Sequence, residues 1–374
     1  MDHMPTTRNR LIDHWNSRIG EERHLRVRWL MNPDEEPRRG AEIVEQSGVI
    51  VDVRPLSEWQ AEDVWPVIAT PPLVNCHTHL EFSSITDPLR PADPFPDWIR
   101  SLMKWRRDQP ENASPSAISS GIEQSQSAGV AAVGEITTTD LTKLETQYSR
   151  YSNRLAVISF REIIGLRPDR IQEQLKHARN HLAIPVPSCI TRGLSPHAPY
   201  TVHPDLLNDL AMLARNSQAP MAMHLAETRD ELELLEFGSG RMADFLQSLE
   251  LFDSSTFPGG RSIRECLEQL AYAPRSLVVH GNYLNNEDIA WLQRHPQCTI
   301  VYCPRTHAYF GHERYPLERF FSAGLRVALG TDSRASNPDL NLWSEVQHVA
   351  RTHAELPIGT LIALATSNAV EALG

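Results

Sequence analysis

From Pro71 onward, short apolar runs alternate with longer amphipathic stretches. The runs cover residues 73–76, 130–136, 155–160, 190–194, 220–224, 276–280, 299–303 and 325–329. Continuous apolar runs of this length read as strands buried on both faces. Between most of them lie stretches with helical spacing, at 96–107, 115–128, 141–148, 170–182, 204–217, 230–249, 287–294 and 317–323. Several open with Ser or Asp ahead of the first apolar position, as helices do. Strand then helix, about eight times over, predicts an α/β fold closed as a (β/α)8 TIM-like barrel. An open doubly wound sheet fits the same alternation. No GxGxxG or GxxxxGK[ST] follows the first strand, so the nucleotide-binding version of that sheet lacks its usual support. A last helical run covers 361–373. Upstream, Leu25, Val27 and Trp29 alternate with arginines, 41–53 turns at Gly48, and Val67-Ile68 is a further short run. These predict a small β layer. Residues 1–24 read either as a helix, with Leu11, Ile12, Trp15 and Ile19 near a helical period, or as a loose extension. The expected domains are an extension and small β-sandwich layer at 1–70 and a barrel at 71–374.

Composition narrows the class. Of 374 residues, 41% are hydrophobic and 22% charged, which excludes global disorder, collagen and a disulfide scaffold. The net charge of −11 argues against a nucleic-acid-binding surface. Five cysteines, Cys76, Cys189, Cys266, Cys298 and Cys303, form no CxxC pair, which suits a reducing compartment. No stretch approaches the ~18 apolar residues of a membrane span, and the polar start lacks the apolar run of a secretory signal. The expectation is a cytoplasmic protein acting on a small molecule, with no nucleic-acid or membrane partner and a homodimer left open.

The candidate chemistry sits where the apolar runs end. The first run leads into Asn75-Cys76-His77-Thr78-His79. Residues i and i+2 of a strand share a face, so His77 and His79 point together. Two such imidazoles suit a divalent metal, or are two satisfied histidines. The fifth run ends in His224, followed by Glu227; the sixth ends in His280; Asp332 follows the eighth. In a barrel these ends converge on the C-terminal face, where active sites lie. His77, His79, His224 and Asp332 would there hold one Zn²⁺ and leave a position for water, with His280 beside it. Fe²⁺ or Mn²⁺ would suit the same donors.

The stretches PPLVNCHTHLEFS (71–83), GLSPHAPYTV (193–202), MHLAE (223–227), VVHGN (278–282), VYCPRTH (301–307) and LGTDSRASN (329–337) resemble the amidohydrolase superfamily, in its cytosine deaminase/chlorohydrolase branch. The resemblance implies metal ligands at His77, His79, His224 and Asp332, and catalytic groups at Glu227, His280 and Asp332. HTHLEFS with Phe95-Pro96-Asp97-Trp98, the segment carrying Glu231, Leu235, Gly238 and Gly240, and TDSRASN are similar to aminodeoxyfutalosine deaminases, which serve menaquinone synthesis. The implied activity is zinc-dependent hydrolytic deamination of an adenine-bearing nucleoside. Related activities on guanine, pterins or chlorotriazines are the alternatives, followed by a barrel kept as a non-catalytic scaffold. The resemblance also implies that His197 contacts substrate. Glu81 is read as a substrate contact or a partner of a ligand histidine. Arg161, Glu162 and Arg305 are candidates to meet substrate or to pair with one another. The sequence departs from its relatives at Thr306-His307, where many have Ser-Asn. It also stops at Gly374, where relatives return to the β layer, which implies a reduced sandwich or an incomplete chain.

Overall fold

The computed structural model describes residues 22–110, 113–150 and 155–374. The helix or extension expected for the first 24 residues lies almost wholly outside them. The chain divides into two compact units, Met1–Pro71 with Glu355–Ala363, and Pro72–Ala354 with Leu364–Gly374.

In the first unit, β1 (Arg23–Leu30), β2 (Arg38–Gln46), β3 (Val49–Pro55) and β4 (Trp65–Ala69) form one sheet in the order β3-β2-β1-β4. Val27, Leu30 and Ala41 make its core. Ser47 and Gly48 join β2 to β3 with φ of 53° and 88°, the doubly left-handed loop that matches strand twist in a two-residue hairpin. The segment Glu355–Ala363, expected with the barrel, groups with this unit. Gly359 accepts the Asp34 N–H at 3.2 Å, and a side chain there would meet Glu35 backbone oxygen at 2.7 Å.

Glu42 on β2 is buried between Arg26 and Arg54, which donate to it at 2.9 and 2.7 Å. Burial alone would raise its carboxyl, but these two arginines hold it at about 2. A carboxyl lowered on folding contributes stability above its ordinary value near 4.5, and that contribution is lost as pH falls toward 2. Glu42→Gln is expected to cost about 1 kcal/mol at pH 7, since both arginines are half exposed. The difference should shrink through that acid window. Urea unfolding at pH 7 and pH 3 checks this, and a gap that does not change with pH contradicts it.

The second unit is a barrel of eight parallel strands in sequential order: β5 (Leu73–Thr78), β6 (Val130–Thr137), β7 (Ala156–Ile163), β8 (Ile190–Pro196), β9 (Met221–Leu225), β10 (Ser276–His280), β11 (Cys298–Tyr302) and β12 (Val327–Leu329). All eight expected runs are strands. Closure comes from Thr331 and Asp332, whose N–H groups both donate to His77 O at 3.0 Å, with a parallel bridge between Thr78 and Asp332. That seam excludes the open sheet. Inside, Val74, Cys76, Ile136, Phe160, Leu277 and Val301 pack with Ala369 and Leu373 of the last helix.

The helix expected over 230–249 is two helices, Arg229–Phe237 and Arg241–Ser248. Gly238 adopts φ 63° and donates its N–H to Leu234 O, closing the first, and Gly240 opens the second. The run at 361–373 is likewise two helices, Ile358–Leu364 and Ser367–Leu373. Helices Ile263–Leu270, Pro304–Tyr309 and Leu342–Thr352 are additional to those read from the pattern. Among the described residues, no helix is long and apolar enough to cross a membrane.

Candidate active site

The strand ends bring His77, His79, His224, His280, Glu227 and Asp332 together. Ligand atoms of His77, His79 and His224 all lie within 4.8 Å of one another. Asp332 Oδ1 stands 3.4 Å from His77 Nε2 and 3.6 Å from His79 Nε2. His280 Nε2 is 3.5 Å from Glu227 Oε1. The backbone is bent to make this possible. Ala226, His280 and Asp332 have φ of 53°, 71° and 56°, a left-handed region that side chains with a Cβ avoid and that clusters at functional sites. Each bend is tied down. Tyr315 hydroxyl donates to His280 O at 2.7 Å, Tyr283 N–H donates to Ala226 O at 3.2 Å, and Asp332 N–H goes to the opposite side of the barrel seam.

The donor set fits one divalent metal ion. His77 is wholly buried, yet neither ring nitrogen has a hydrogen-bond partner among the described residues. A buried polar atom without a partner is costly and demands an explanation. His224 Nδ1 lies 3.0 Å from His197 O. A carbonyl only accepts, so Nδ1 carries the proton and Nε2 presents its lone pair, the tautomer a metal needs. That lone pair faces His79 Nε2 at 3.3 Å. Burial, and then the neighbouring imidazoles, push His77 well below its ordinary value and His224 down to about 4, so both are neutral donors. Asp332 keeps its other oxygen occupied by Ser336 hydroxyl at 2.9 Å. Three imidazoles and a carboxylate suit a zinc-like ion. His77→Ala is expected to leave a folded barrel with at least tenfold weaker metal binding. Mass-spectrometric metal analysis beside circular dichroism reads both, and full metal retention contradicts the donor set.

The cluster lies in the floor of a cavity of about 700 Å³. His79, His224, His280, Glu227 and Asp332 form its polar end, and Phe82, Phe95, Trp98, Leu102, Phe245 and Leu249 form much of its wall. Burial, reinforced by Asp332 and Glu231, raises the Glu227 carboxyl well above its ordinary range. Trp98 Nε1 donates to Ala335 O at 3.2 Å, which anchors this ring in the cavity wall.

His197 and Glu162 also line the cavity, 3.9 Å apart. Glu81, Arg161 and Arg305 do not. Glu81 takes hydrogen bonds from Thr137, the last residue of β6, and from Thr138 and Thr139 in the turn after it. It lies in the one-turn helix Leu80–Phe82, past the strand, so strand alternation no longer aims it inward. Arg161 donates to Thr138 O. Arg305 is held by Glu345 at 2.6 Å and Asp339 at 2.7 Å. Cys303 is buried, and burial raises its thiol well above its ordinary value. Ser336, Asn282 and Glu231 also support the site, and sequence reasoning gives none of them a role. Each lies within one of the family-like stretches or close after one, and its contact needs the fold to be seen.

Residues 68–374 match the amidohydrolase family. The chain belongs to that family. This amidohydrolase is 29% identical over 325 residues to the aminodeoxyfutalosine deaminase of Deinococcus radiodurans, covering 84% of this chain and 75% of that protein. Over 350 residues it is 26% identical to the 5-methylthioadenosine/S-adenosylhomocysteine deaminase of Carboxydothermus hydrogenoformans, covering 88% and 73%. The solved structure of Helicobacter pylori aminofutalosine deaminase in complex with methylthio-coformycin superposes with a TM-score of 0.73 over 94% of this chain and 87% of that one. At 22% identity, that likeness establishes the barrel fold.

Proposed function

We propose that this amidohydrolase is a zinc-dependent hydrolytic deaminase of an adenine-bearing nucleoside. The observation that carries the reading is the Glu227–His280 pair standing beside the four-donor cluster at the polar end of the cavity. Zinc is the proposed ion, with Fe²⁺ or Mn²⁺ as substitutes. When bound, such an ion acts as a Lewis acid that brings the ionisation of a water toward neutral pH.

The protein's own groups would do the rest. His77, His79, His224 and Asp332 hold the ion, and Asp332 accepts the proton of the attacking water. His280 orients the attacking oxygen toward the amino-bearing ring carbon. Glu227, whose carboxyl burial raises above its ordinary range, would protonate the adjacent ring nitrogen, which withdraws electron density from that carbon. Left as a carboxylate, Glu227 would then take the proton of the hydroxyl added at the ring carbon and pass it to the amine, which leaves as ammonia while a carbonyl remains; the proton held by Asp332 would restore Glu227. Groups of this kind each contribute about 10² to 10⁴ in rate.

His197 supports a hydroxyl-bearing substrate. Thr201 hydroxyl donates to Ala198 O at 3.1 Å, so it accepts from His197 Nδ1 at 2.8 Å. His197 Nε2 is then an acceptor facing Glu162, and two acceptors suit sugar hydroxyls. The apolar wall supports a substituent beyond the sugar. Aminodeoxyfutalosine is the specific substrate proposed, which would place the enzyme in menaquinone synthesis.

The test is release of ammonia by the zinc-loaded protein, or of chloride where the substrate is the chlorotriazine. The panel is aminodeoxyfutalosine, adenosine, methylthioadenosine, S-adenosylhomocysteine, guanine, cytosine, a pterin and a chlorotriazine. Fast release from one adenine nucleoside supports the reading. Turnover confined to guanine, a pterin or the triazine overturns the substrate class, and silence with metal bound overturns the reaction.

A further inference from the structure

Glu231 lies in the first turn of helix Arg229–Phe237 and is wholly buried. Its two oxygens accept the N–H groups of Ala226 at 2.9 Å and Glu227 at 3.0 Å. Its own N–H donates to Thr228 Oγ1 at 3.2 Å. Thr228 already caps this helix, and acidic residues in a first turn are ordinarily solvated, where the helix dipole favours them. A carboxylate taken out of water is expensive unless something specific compensates it. Here the compensation comes from the peptide N–H groups of Ala226, Glu227 and Thr228, the segment that carries Glu227.

That segment is strained. Ala226 sits at φ 53°, a conformation that persists only where its surroundings enforce it. Its carbonyl is held by Tyr283 N–H at 3.2 Å, and the Glu227 carbonyl by Asn282 Nδ2 at 2.8 Å. Those bonds fix the carbonyl side of the segment, and Glu231 fixes the N–H side. Without Glu231, Ala226 can relax to negative φ. The peptide joining it to Glu227 then rotates and carries the Glu227 carboxyl away from His280.

We propose that Glu231 is a positioning residue: it clamps the Ala226–Glu227 backbone so that the Glu227 carboxyl stays beside His280 at the cavity floor. This rests on the proton-donating role of Glu227 given above. A residue that acts only through Glu227 has no effect once Glu227 is gone, whereas a merely structural residue costs the same in either background.

The experiment compares four zinc-loaded proteins, namely wild type, Glu227→Gln, Glu231→Gln and the double variant, on the nucleoside that wild type turns over. Glu231→Gln keeps one acceptor and sets an amide N–H against the other peptide N–H. It should lower kcat about 10²-fold with KM changed less than about threefold. In the Glu227→Gln background the same change should alter kcat less than about twofold. An equal further loss in that background overturns the proposal. Hydrogen–deuterium exchange supplies a readout apart from turnover. The Ala226 and Glu227 amides should exchange at least about tenfold faster in Glu231→Gln with metal content unchanged, and unchanged protection overturns the clamp. Ala226→Gly added to Glu231→Gln should recover about tenfold in kcat, because glycine holds φ 53° without strain. Failure to recover counts against the proposal, and this pair keeps the test available where Glu231→Gln alone folds poorly. A wild-type rate in Glu227→Gln would instead overturn the catalytic reading of Glu227 itself.

Discussion

Asp332→Asn is expected to lower turnover by about 10⁴-fold or more, even after metal is restored. The substitution is nearly isosteric, so its structural cost is small. Its amide oxygen still accepts from Ser336, and the backbone N–H that closes the barrel on His77 O is untouched. What disappears is the charge facing His77 and His79 at 3.4 and 3.6 Å and the only acceptor assigned to the water's proton. An amide neutralises no positive charge on a metal and takes up no proton near neutral pH. The measurement is kcat/KM for the reconstituted variant, with metal content and a thermal melt on the same sample. Activity within tenfold of wild type at full metal loading would mean that another group takes the proton. Loss of activity together with loss of fold would be ruled out by the melt.

The expected collapse follows from a site that the sequence largely exposes. Strand ends in a barrel converge whatever the intervening chain does, so the polar residue after each apolar run is informative from the sequence alone. His77 and His79 obey strand alternation, and His224, His280 and Asp332 each close or follow a run. The same logic fails one turn later. Glu81 sits past Thr78 in a one-turn helix, where period two no longer holds, and its carboxylate goes to the threonines after β6. Arg305 starts a helix, and its partners Glu345 and Asp339 lie 40 and 34 residues away. No local pattern announces such a pairing. The split of 230–249 is different: Gly238 and Gly240 are plain in the sequence, and the amphipathic period on either side conceals the break. Glu231 stands out in the sequence only through the family resemblance. Its function depends on the left-handed turn at Ala226, and a single sequence carries no sign of a strained alanine.

Glu227→Gln is expected to retain metal and fold and to lose about 10² to 10⁴ in kcat. Its carboxyl is buried at the cavity floor beside His280, and its backbone is fixed independently of its side chain by Glu231 and Asn282. Glutamine therefore occupies the same place, and KM should move less than about threefold. The loss should depend on the leaving group. Departure of an amine requires a proton, and departure of chloride does not. With a 6-chloropurine nucleoside in place of the amino compound, the variant forfeits ring protonation alone, so its deficit should be at least about tenfold smaller. Equal deficits on both substrates would confine Glu227 to the ring nitrogen and assign the amine's proton to another group. No deficit on either would remove Glu227 from the chemistry and leave the ring nitrogen's proton to another group at the polar end of the cavity.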